Sequence, residues 1–83
     1  MSIVQKTTLY CGEGNSDKEY LVQIEDMGQG FGVHCFNHRC GNPWVDQGFK
    51  VSGVELWEAQ AEFGKVIKSK VKKGYEITEQ SNP

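Results

Sequence analysis

Residues 18–37, KEYLVQIEDMGQGFGVHCFN, decide the fold. In the first half Tyr20, Val22 and Ile24 alternate with Glu19, Gln23 and Glu25, the period of two expected of a half-buried strand, and only Leu21 interrupts the polar side. EDMGQG then supplies turn chemistry. Beyond it Phe31, Val33 and Cys35 fall on one face and His34 and Phe36 on the other. The pattern predicts an antiparallel hairpin of strands over 18–26 and 31–37.

Working outward, Ile3 to Tyr10 is rich in β-formers and stops at CGEGNSD, whose glycines, Asn, Ser and Asp favour a loop. That gives a first strand. After HRCGNP a weaker alternation of Val45, Gln47, Phe49 and Val51 predicts a fourth. SGVE places Ser52 three residues before Glu55, the spacing of a capping box that opens a helix. Leu56, Ala59, Phe63, Val66, Ile67 and Lys70 follow at three- and four-residue steps, a stripe suited to lying on a sheet. Gly74 is placed to close the helix near Lys73, because glycine adopts the left-handed conformation that ends helices. Trp57, close to this stripe, is expected in the core. EQSNP reads as a frayed tail. Strands first and a helix after predict an α+β fold: an antiparallel sheet of four to five strands with one long C-terminal helix packed on it. Residues 1–76 are expected to form a single domain and 77–83 a disordered tail.

The length of 83 residues fits one domain, which buries about 60% of the surface its unfolded chain exposes. No basic-then-apolar leader and no long apolar run is present, so the expectation is a cytoplasmic protein without membrane contact. Three cysteines cannot all pair within one chain, which fits reduced thiols. A net charge of -2 conceals an uneven distribution: residues 1–62 carry nine acids and four bases, whereas Phe63 to Tyr75 carries five lysines and no acid.

GFGVHCFNHRCGNP, residues 30–43, holds both histidines and two of the three cysteines. Zinc binding by His34, Cys35, His38 and Cys40 is one reading, but His34 and Cys35 are adjacent on a strand and therefore point to opposite faces, and no paired-ligand spacing is present. A nucleophilic cysteine would need a base and an orienting third group, and neither is written here. GQGFG joins two strands instead of opening a helix, so it is a hairpin turn and no phosphate cradle. No cofactor and no small-molecule substrate are expected. The lysines are more informative: Lys65, Lys68 and Lys72 share one helical face, with Lys70 and Lys73 flanking it, an arrangement able to neutralise phosphates or simply to favour the helix dipole.

KEYLVQIEDMGQGFGVHCFNHRCGNP, residues 18–43, resembles the opening strands and signature turn of the WGR domain of poly(ADP-ribose) polymerases and small bacterial proteins. AQAEFGKVIKSKVKKGY, residues 59–75, resembles that family's closing helix, with Ala59, Phe63, Lys70, Gly74 and Tyr75 at its spacing. At the signature Arg39 and Gly41 match, whereas Asn37, His38 and Cys40 stand where the family has Trp, Gly and an aliphatic residue. The resemblance implies a noncatalytic module that binds DNA through Arg39, with Asn37, His38 and Trp44 nearby and Lys65, Lys68 and Lys72 on the helix. A protein-interaction module that has lost DNA binding is the alternative, and a small zinc protein the second.

Overall fold

A computed structural model of the chain describes residues 2–14 and 17–81, so part of the first loop and the last two residues of the tail lie outside the described residues. Strands β1 (Ser2–Cys11), β2 (Lys18–Asp26), β3 (Phe31–Arg39) and β4 (Val45–Val54) precede helix α1 (Leu56–Lys72), and a further strand β5 (Glu76–Ser81) follows it. They form a five-stranded antiparallel sheet in the order β4-β3-β2-β1-β5 with α1 packed on one face over β2, β3 and β4. The α+β expectation holds.

The hairpin of β2 and β3 has the alternation its sequence predicted. Ile24 lies opposite Val33 and Val22 opposite Cys35, so these four side chains share the face turned to the helix, and all are fully buried. Leu9 of β1 joins them, and Ala59, Phe63 and Val66 close the core from α1. The predicted helical stripe is the one that packs, because three- and four-residue steps keep these side chains on one side.

Three local expectations are corrected. Ser52 does not cap the helix: it belongs to β4, and the capping box forms between Glu55 at the N-cap and Glu58, whose carboxylate accepts from the Glu55 N–H at 3.4 Å. The same spacing of three exists in both places, and the bulged register of β4 extends that strand through Ser52. Residues 77–81 are a strand and no frayed tail, pairing along β1 with Leu9 opposite Ile77 and Lys6 opposite Ser81. The backbone ladder satisfies the free edge of β1, and because the side chains of β5 are nearly all exposed, no apolar alternation announces it. Trp57 is 68% exposed on the outer side of α1 and takes no part in the core.

The helix end positions the site. Gly74, at φ +99°, donates to Val71 O at 3.1 Å, and Tyr75 N–H donates to Lys70 O at 3.1 Å. These two bonds are a Schellman closure, which folds the residue after the glycine back onto the residue that begins the last turn. Tyr75 is thereby set beside Lys70.

Candidate functional site

The register of the hairpin brings Lys18 at the start of β2 opposite Arg39 at the end of β3, on the same face as the core. Asn42 N–H donates to Arg39 O at 2.9 Å and closes a turn in which Gly41 takes φ +94°, a value open to glycine without strain. The chain therefore reverses immediately after Arg39, which leaves its side chain at the sheet end.

Above this end lies the last turn of α1. Lys18, Arg39, Lys70 and Lys73, together with Asn37 and Tyr75, line a groove of about 490 Å³ between sheet and helix. A second groove, of about 350 Å³, is lined by Lys50 of β4, Lys65, and again Lys70 and Lys73, with Tyr20 in its wall and Glu62 as its acid. The two grooves adjoin, sharing Lys70 and Lys73 in their walls, so six cations border this two-part channel. Among the described residues every ion pair involves a histidine, and none of these six cations is paired with a carboxylate.

Lys70 is the centre of the channel. Its ammonium lies 4.2 Å from the Tyr20 ring centroid and 5.8 Å from that of Tyr75, and the two rings meet edge to face at 6.3 Å. Aromatic faces attract a cation and also strip its water. Burial, then the charges of Lys73, Lys50 and Lys18, depress the Lys70 pKa below the ordinary lysine value. Uncompensated positive charge in a partly dry channel is the electrostatic signature of a site for an anion, which would relieve the repulsion that the cations now exert on one another.

The other face of the sheet carries a second polar assembly. His34 Nδ1 lies 2.6 Å from Glu25 Oε2 and Nε2 lies 2.8 Å from Asp46 Oδ1, while the ring is sandwiched between Phe36 and Phe49, each with its centroid at 4.2 Å. Glu25 is buried, and Gln23 Nε2 donates to it at 2.6 Å. Burial pulls the His34 imidazolium down, but the bonds to Asp46 and Glu25 outweigh it and hold the pKa above the ordinary value. His38 is fixed similarly, with Nδ1 2.7 Å from the Asn42 carbonyl, Nε2 2.8 Å from Glu19 and its ring 3.9 Å from Trp44. The Asn42 carbonyl and then the Glu19 carboxylate raise its pKa. Each histidine ties neighbouring strands or a turn together through acceptors on both ring nitrogens.

The sequence-derived candidates are thus divided by the fold. Arg39 and Asn37 line the channel, and Lys65 lines its inner part. His38 borders it but is held by Glu19 and Asn42. Asn37, His38 and Arg39 belong to β3, so the expected signature turn starts only at Cys40. Trp44, 43% exposed, packs against His38 with the rings tilted by 41° and does not line the channel. Lys68 lines a different groove on the outer side of α1, and Lys72 is exposed and borders neither part of the channel. The residues that sequence reasoning did not assign to the site are Lys18, Lys50, Lys70, Lys73, Tyr20 and Tyr75. Lys70 and Lys73 carried a signal as flanks of the lysine face, Lys70 also as the polar member of an otherwise apolar stripe, and Tyr75 through the spacing of the helix end.

The zinc set does not converge. Cys35 is buried under the helix while His34 points to the opposite face, and among the described residues no group of three or more His, Cys, Asp or Glu side chains is arranged to hold a metal ion. Burial pushes the Cys35 thiol pKa up, and burial and the Asp17 hydrogen bond do so for Cys40. Neither has the low pKa of a reactive thiolate.

Compared with known proteins, the chain matches no protein-family model, no curated protein and no solved structure. The channel itself is what bears on function.

Proposed function

We propose that the chain is a noncatalytic, WGR-like module that binds nucleic acid through its phosphates, in the channel between the end of β2 and β3 and the last turns of α1. The observation that carries this reading is the set of six cations, none paired with a carboxylate among the described residues, that line two adjoining grooves, with Lys70 over the Tyr20 ring and 5.8 Å from that of Tyr75. A run of cations from three strands and a helix suits a polyanion better than a single small anion, because it extends over two adjoining grooves. Tyr75 and Tyr20 are buried, so they serve as a platform for Lys70 and not as stacking surfaces for bases. The contacts available are with the backbone, and recognition is therefore of phosphate geometry more than of sequence.

Fluorescence anisotropy with labelled single-stranded and duplex DNA tests the reading. If Lys18, Arg39, Lys70 and Lys73 each neutralise one phosphate of a duplex, affinity falls by about 150-fold between about 50 mM and about 200 mM salt. Lys70→Ala combined with Lys73→Ala should remove most binding and flatten this salt dependence. Lys68→Ala combined with Lys72→Ala, outside the channel, should change little. Absence of binding at low salt, or equal loss from the two pairs, would reject the site and favour a protein partner.

A further inference from the structure

The side of α1 turned away from the sheet carries a second periodic stripe. Trp57, Ala61, Gly64, Lys68 and Val71 recur at alternating steps of four and three, the heptad seam of a helix that packs against another helix. Among the described residues none packs over it. Trp57 is 68% and Val71 48% exposed, and Ala61 and Gly64 form the floor of a groove of about 570 Å³ beside Trp57. A Cβ added to Gly64 would meet no atom within 4 Å, so the glycine is not required by packing within the chain.

Charge selects the occupant. The N-terminal half of this face is flanked by Glu58 and Glu62 and the C-terminal half by Lys65, Lys68 and Lys72. A parallel partner of the same sequence would set like charges side by side. An antiparallel one sets Glu58 beside Lys65 of the other copy, twice by symmetry, and pairs Ala61 with Gly64 at the crossing, where small residues let the helices approach closely. Each Trp57 then covers the Lys68 of its partner, ring against cation.

We infer that this face is a self-complementary dimer surface, occupied by α1 of a second copy in antiparallel orientation about Ala61 and Gly64. The interface is isologous, as a two-fold axis requires. The stripe spans two heptads, so the association is weak, with a Kd of about 10 μM to 1 mM. Lys18, Arg39, Lys70 and Lys73 lie outside it, whereas Lys65 borders both the inner groove and this face, so a dimer presents two copies of the groove at the sheet end.

Sedimentation equilibrium over that concentration range tests the inference, with circular dichroism confirming that each variant keeps the fold. The expected result is a monomer–dimer equilibrium that Trp57→Ala weakens and that Glu58→Lys or Lys65→Glu alone weakens by about tenfold. An equimolar mixture of the Glu58→Lys and Lys65→Glu chains should recover association, because in the mixed dimer the two new charges meet each other at one position and the two native charges meet at the other. A protein that stays monomeric throughout, a dimer indifferent to Trp57→Ala and both reversals, or a mixture no stronger than its components would each overturn it.

Discussion

Replacing His34 by Phe tests whether the polar assembly on the open sheet face is a stabilising device. Phenylalanine keeps a flat ring between Phe36 and Phe49 but removes both N–H groups, so the packing term is largely conserved and the hydrogen bonds are lost. The magnitude is set by Glu25, whose side chain is only 6% exposed and keeps Gln23 as its sole hydrogen-bond partner when the imidazole is gone. A charge-assisted bond contributes about 1.5–3 kcal/mol, and an uncompensated buried carboxylate raises the loss, so His34→Phe should destabilise by about 2–4 kcal/mol near pH 6. Asp46 is 59% exposed and regains water, adding little. The pH dependence fixes the mechanism. His34 and His38 both have folded-state pKa values above the ordinary 6.5, so the folded protein holds more protons than the unfolded one across that interval. Their contribution is complete below the ordinary value and is lost as pH rises through the raised one. Wild-type stability, measured by urea denaturation, should therefore fall as pH rises above the ordinary histidine value through the raised ones. The gap to His34→Phe should narrow over the same range, because a neutral ring donates to only one of its two carboxylates. Adding Glu25→Gln to His34→Phe removes the stranded charge and should return about half the loss. Wild-type stability that is flat or rising over this range, or a loss independent of pH, would refute the reasoning.

Other perturbations separate the two sides of the helix and its two ends. Phe63→Ala, at a position 5% exposed, should cost about 3–5 kcal/mol in urea denaturation, whereas Trp57→Ala at low protein concentration should stay within about 0.5 kcal/mol of wild type. Gly74→Ala forces a left-handed φ on alanine, with the exposed Glu13 carboxylate beside it free to swing aside, so it should lower stability by about 1–2 kcal/mol and, by loosening Tyr75 beneath Lys70, weaken binding in the channel. Glu58→Ala should cost about 0.5–1 kcal/mol and Ser52→Ala nearly nothing, since the cap lies at Glu55 and Glu58; a loss from Ser52→Ala with none from Glu58→Ala would place the cap at Ser52 instead.

The sequence by itself determined the elements whose side chains are sorted by water. Alternation in β2 and β3 and the three-and-four spacing of Ala59, Phe63 and Val66 reflect burial on one face, and burial leaves a local periodic mark. Gly74 was readable because the end of a helix needs a backbone conformation that few residues adopt. β5 left no such mark, since its strand exists through main-chain bonds to β1, which any side chains permit. The candidate site was legible only in its ingredients, Arg39 and a lysine-rich helix. Which lysines join Arg39 depends on the angle at which α1 crosses the sheet and on the register that puts Lys18 across from Arg39, and both are fixed by contacts between residues far apart in the chain. That is why helical spacing alone grouped Lys65, Lys68 and Lys72, while the tertiary structure set Lys70 over two tyrosines, brought Lys73 into the same grooves and turned Lys68 outward.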